Sequence, residues 1–198
     1  MTPPNKVTPR NELVHVAPRR TWWGNRGCLH RDGELVRHWN GRRWITCELE
    51  FRGWRAPRWE PGRYTALFFH DEAVALAAGH RPCALCRRGA YEAFSDAWQA
   101  AFGRRPGADD LDRRLHTDRL DGGDQRTHTR RWADLPTGVF VDIGRVPHVV
   151  LADSVVPWSI DGYGPAAARP AAGQATVLTP AATVEVLRNG YRPHLAIA

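Results

Sequence analysis

Two cysteines separated by two residues, Cys83 and Cys86, constrain this chain more than any other feature. They follow Arg81-Pro82 and precede Tyr91, Phe94, Trp98 and Ala101, an apolar face at helical spacing that ends before Gly103. The spacing predicts a helix opened by Pro82, because proline lacks the N–H that a first helical residue leaves unpaired. At i and i+3 of such a start both sulfurs face one side, and the positive helix terminus favours thiolate. Together with Cys28 and Cys47 the pair makes a plausible four-thiolate zinc set, with His30 as the substitute for Cys28. The plain alternative for Cys28 and Cys47 is a small buried side chain.

Compartment bears on that choice. No stretch approaches the roughly 20 apolar residues that span a bilayer, and the first 20 residues lack the apolar run of a secretory signal. These features predict a cytoplasmic protein with reduced thiols and no membrane partner, so metal comes before disulfide.

The fold class expected is α+β. Residues 1–20 hold four prolines and four basic residues without apolar periodicity, and predict a flexible basic arm. Residues 21–61 are strand-like, broken at Asp32-Gly33, Asn40-Gly41 and Gly53. Asn40-Gly41 before RRWITCELEF predicts a hairpin, since both turn residues need positive φ. A strand over 64–69 leads into a short helix, DEAVALAAGH, with Gly79 at its end. RRPGADD reads as a linker, and 109–120 as a short charged helix. Strands follow within 139–158 and at 175–178, and a last helix begins after Thr179-Pro180, with Thr179 as its N-cap. The halves 21–105 and 109–198 are either two small domains or one fused unit.

The run YTALFFHDEAVALAAGHRPCALCRR resembles the zinc-binding domain of the Ada alkylation-repair protein, with related modules attached to some bacterial nucleases. GNRGCLH is similar to the entry strand of the nuclease-attached form. The resemblance covers about 25 residues firmly and residues 24–90 loosely, and implies a module of hairpin, strand and two helices before a β-rich half. It also implies structural zinc, contact with DNA backbone, and Arg81 in the position of the family's arginine beside the first helix cysteine. One departure is plain: the Ada domain keeps its first two cysteines close in sequence, whereas Cys28 and Cys47 stand 19 positions apart. The scaffold is carried over and methyl transfer is not.

Charge points to the same partner. The net charge is +7, and all the positive charge is arginine except Lys6. A basic surface attracts nucleic acid through counterion release, and guanidinium groups grip phosphate in pairs. Arg42, Arg43, Arg55 and Arg58 lie among Trp44, Trp54 and Trp59, while Arg81, Arg87 and Arg88 flank the cysteine pair. These seven are the candidate DNA contacts; the alternative is tryptophans in the core with arginines solvating its rim.

A second polar concentration, residues 115–128, places His116, Asp118, Asp121 and His128 near a glycine loop. These four are candidate catalytic residues for a nuclease or glycosylase, by general acid–base work or metal-held water. The alternative is a solvated, ion-paired helix face. Pro82-Cys83-Ala84-Leu85-Cys86 also matches half of a zinc-deaminase signature, but no H-x-E precedes it. Without a phosphate-binding loop, a G-x-G-x-x-G or a G-x-S-x-G elbow, no nucleotide cofactor is expected. The function expected is a zinc-stabilised DNA-binding protein; the alternatives are a nucleic-acid hydrolase and a zinc-stabilised protein-interaction module.

Overall fold

The computed structural model describes residues 5–15, 22–55 and 59–197, and the fold is α+β. Its four helices among the described residues are α1 (Glu72–Ala77), α2 (Arg88–Phe102), α3 (Ala108–Arg119) and α4 (Ala181–Arg188). A six-stranded mixed sheet runs in the order Arg81–Pro82, Ile45–Cys47, Trp22–Asn25, Leu67–Phe69, Lys6–Val7, Leu13–Val14. A second, antiparallel sheet is built from residues 128–177.

The first helix follows its local chemistry. Asp71, in extended conformation, accepts the Val74 N–H at 2.9 Å, and all six helical residues are buried. Gly79 ends the segment at φ +82°, and a Cβ there would stand 2.6 Å from Cδ of Arg119. Glycine is therefore required twice at this position, for its backbone and for the close approach.

Four expectations are corrected. Residues 5–15 are not an arm: Lys6 and Val7 are buried, and Lys6–Val7 pairs with Leu13–Val14 and with Leu67–Phe69. Residues 1–4 and 16–20 lie outside the described residues. Asn40-Gly41 makes no hairpin, because Ile45–Cys47 pairs with Trp22–Asn25 and Arg81–Pro82 instead, while the Asn40 N–H donates to the Arg26 carbonyl. Tight hairpins form at Asp32-Gly33 and Arg52-Gly53, each with both turn residues at positive φ.

Pro82 does not open a helix. Arg81–Pro82 is a short strand, the Cys83 N–H donates to the Thr46 carbonyl at 2.9 Å, and α2 begins only at Arg88. Sheet pairing thus claims the backbone that the helix was expected to use. Thr179 does not cap α4 either. Its Oγ1 accepts the Phe140 N–H at 2.9 Å, and the Ala182 N–H is capped by Oδ2 of Asp118 at 3.0 Å.

The two halves are one fused unit, because each large core draws on both. One gathers Leu76, Phe94 and Trp98 with Leu111, Trp132, Val177 and Leu187. The other gathers Val7, Leu67, Phe69 and Val74 with Phe140, Val156 and Trp158. A third, small core of Trp23, Cys47, Ala66 and Phe68 lies under the cysteine pair.

Candidate metal centre

Cys47 ends the strand Ile45–Cys47, and Cys83 and Cys86 stand in the turn between Arg81–Pro82 and α2. Parallel pairing of those two strands sets Thr46 opposite Pro82, which brings the Cys47 sulfur to the turn. The three ligand atoms lie within 4.8 Å of one another, so the group can hold a metal ion. The turn itself is shaped for sulfur: the Leu85 N–H points at Sγ of Cys83 (3.4 Å), and the Arg87 N–H closes on the Cys83 carbonyl (3.2 Å). Cys47 is buried at the base, whereas Cys83 and Cys86 are half-buried and Leu85 between them is exposed.

Without a cation the three thiols share their protons unequally. Hydrogen bonds from Cys47 and Cys86 hold the Cys83 thiol well below its usual range. Cys47 is driven upward by its hydrogen bonds to Cys83 and Cys86, and further by burial. Three sulfurs this close together form a ligand set from which a divalent ion displaces the thiol protons.

The other two candidate ligands are elsewhere. Sγ of Cys28 contacts the His30 carbonyl at 3.5 Å and is outside the group. The His30 ring is occupied at both nitrogens, Nδ1 with Oγ1 of Thr65 (2.7 Å) and Nε2 with the Glu60 carbonyl (3.1 Å), and stacks on Trp59. The four-ligand expectation thus reduces to three residues, because the Cys28–His30 loop is tied to Thr65 and Glu60.

Two of the seven candidate DNA contacts are structural. Arg81 is buried and makes a two-pronged pair with Asp112, with hydrogen bonds of 2.9 and 2.8 Å. Arg87 is buried over the Trp22 ring, 2.9 Å from Glu72, and donates to Oγ1 of Thr46. Arg42, Arg43, Arg55 and Arg88 are exposed, the last two beside Glu50 and Glu92, and Arg58 lies outside the described residues. Arg42, Arg43 and Arg113 rim a cavity of about 570 Å³ that Asn25, Tyr64, Asp109 and Asp112 also line, with Arg43 3.7 Å from Asp109 and Arg113 2.8 Å from Asp110. Charge counting along the chain missed Arg113, which α3 carries to this rim. Tyr64 joins the cavity to the cysteines. It stacks on Trp23, and burial pushes its hydroxyl up to about 12.

Each candidate catalytic residue is engaged with a neighbour. Nδ1 of His116 accepts from Arg119 at 3.0 Å, with the ring edge against Trp44. Asp118 pairs with Arg114 and caps α4. Asp121 is exposed at a hairpin, 3.5 Å from Arg126. His128 shares a hydrogen bond with the Thr179 carbonyl, and burial lowers its pKa. Each has a structural partner, and among the described residues they form no metal-ligating group.

Comparison of the chain with family models, with curated proteins and with solved structures finds no match. No helix of the described residues is long and apolar enough to cross a membrane.

Proposed function

We propose that this chain is a zinc-stabilised DNA-binding protein of the cytoplasm, acting in repair, modification or defence of DNA. The observation that carries this reading is the convergence of three thiols beside an arginine-rimmed cavity. Zinc is the metal that three sulfur donors in a reducing compartment favour. It would tie Ile45–Cys47 to the turn before α2, and so fix the edge of the sheet against the helix. DNA is favoured by the charge of +7 and by arginines whose heads remain exposed, Arg42, Arg43 and Arg113 above all. The resemblance of residues 64–88 to the Ada zinc-binding domain supports the same partner. The hydrolase alternative has no converging residues behind it.

Metal analysis of the purified protein is expected to find about one zinc per chain, and Cys83→Ser to lose both metal and stability. Duplex DNA is expected to be retained with a steep salt dependence. Replacing Arg42, Arg43 and Arg113 together by alanine should reduce the log–log slope by about 2.7, at about 0.9 per phosphate contact. Zinc content without any DNA retention at low salt would end the DNA reading and leave the protein-interaction module.

A further inference from the structure

We infer that the metal held by Cys47, Cys83 and Cys86 keeps its fourth coordination position open to a small exogenous donor. This rests on the metal reading above and departs from it in kind, since a purely structural zinc site is closed by four protein ligands. The argument is a census of donors. Among the described residues, no other histidine, cysteine, aspartate or glutamate joins the three sulfurs. Segments 1–4, 16–21 and 56–58 and residue 198 contain none of these four residue types. Cys28 and His30 are the obvious reserves, and both are engaged with His30, Thr65 and Glu60 as described.

The nearest acid along the chain is Glu48. Its carboxylate lies 3.6 Å from Nε of Arg87, and its backbone carbonyl accepts from the Trp23 indole. Those partners hold residue 48 from both ends while leaving its side chain 44% exposed. Glu48 is therefore the acid that the test must include as a closing ligand.

The open side faces solvent. Cys47 is only 4% exposed and forms the floor, whereas Cys83 and Cys86 are half-buried at the surface. The rim there carries an apolar side chain, with Leu85 at 70% exposure. The donor class that fits is soft and carries some hydrocarbon: the thiolate of a low-molecular-weight thiol, replacing water.

Cobalt(II) makes this measurable, because its visible absorption reports both sulfur ligation and coordination changes. Cobalt-loaded full-length protein would be titrated with 2-mercaptoethanol, with azide as the hard-anion arm, in the wild type, Cys28→Ser and Glu48→Gln. The expected result is a saturable shift of the ligand-field bands with the thiol and none with azide, alike in all three proteins. An unresponsive wild-type spectrum would overturn the inference, and a response that appears only in Glu48→Gln or Cys28→Ser would identify the protein ligand that closes the site. Loss of cobalt on desalting after thiol addition, or a metal-dependent dimer in which a second chain completes the site, would overturn it equally. Absence of sulfur-to-cobalt absorption before any thiol is added would instead refute the metal reading itself.

Discussion

At the scale of single residues, the most unusual feature lies behind the sheet. Arg26 and Arg119, both buried, each hold a guanidinium carbon about 4 Å from the centre of the Trp44 ring, at 4.1 and 4.0 Å. Both guanidiniums therefore lie against the one indole. No carboxylate pairs with either within ion-pair distance among the described residues; burial lowers both pKa values, reinforced at Arg26 by the charge of Arg119, while at Arg119, lowered to about 9, the charge of Asp112 works against it. Backbone carbonyls of Gly79 and Arg42 and the indole of Trp44 take the place of counter-ions. The fourth member is His80, fully buried, whose Nε2 accepts from Nε of Arg26 at 3.1 Å. A histidine that accepts from a guanidinium must be neutral, and burial, then Arg26 and Arg119, push its pKa well below 6.5. The unfolded chain therefore binds a proton that the folded chain refuses. Stability is full above pH 6.5 and declines as pH falls below it, down toward the lower folded-state pKa. Melting temperature should fall as pH is lowered from about 7.5 to about 5. His80→Gln should be less stable at neutral pH yet fall less steeply; an unchanged slope would remove His80 as its source.

At the scale of elements, the same physics separates what was legible in the sequence from what was not. The α1 segment was legible because its signals are local: an acidic cap, a run of small apolar residues, and Gly79. Helices α2, α3 and α4 and the strands after residue 139 were legible from periodicity and turn residues for the same reason. The start of α2 was not. Pro82 is a good first helical residue in isolation, but pairing with Thr46 across some 35 residues of chain outweighs it. The Asn40-Gly41 turn failed likewise, since Trp44 is drawn into the core against Arg26 and Arg119. At the candidate site, Cys47, Cys83 and Cys86 were found by spacing and residue type. Cys28 was included on residue type and on the likeness of GNRGCLH to an entry strand, and it falls outside because the Thr65 contacts that tie its loop down are a tertiary fact. Asp118 shows how a chemically suggestive residue becomes structural. Its Oδ1 takes Arg114 while Oδ2 caps the first turn of α4, a helix whose own Pro180 supplies no side-chain cap. Asp118→Ala should cost about 1 kcal/mol, the usual value of an N-cap, and Asp118→Asn most of that less, as asparagine caps nearly as well. Urea melts of the two variants check this. Equal losses in both would mean that charge, and not the cap, is what Asp118 provides.

At the scale of the whole molecule, the question is whether the cysteine-bearing half stands alone, as an appended module would. Its largest ion pair says otherwise. Arg81 lies two residues before Cys83, yet its partner Asp112 belongs to α3, and both side chains are almost fully buried. Glu72 of α1 receives the Tyr191 hydroxyl at 2.5 Å and the His194 N–H at 3.0 Å, and Asp71 receives the Tyr163 hydroxyl at 2.7 Å. The charged groups around α1 and the cysteine turn are thus satisfied from the second half of the chain. Removing that half would strip Arg81 of its carboxylate, and Asp71 and Glu72 of the Tyr163, Tyr191 and His194 donors, beside two opened cores. Arg81→Met or Asp112→Leu alone strands one buried charge, and each should cost roughly 3–5 kcal/mol. The double variant strands none, so it should recover much of either loss, giving a large coupling energy in a double-mutant cycle. Since the pair joins the two halves, thermal unfolding followed by tryptophan fluorescence and by far-ultraviolet circular dichroism should trace one transition in the wild type. A fragment of residues 1–105 should show no cooperative transition, even with zinc supplied. A zinc-loaded fragment that melts sharply by itself would show that metal and local packing suffice, and that the contacts of Asp112 and Tyr191 are additions to a finished module.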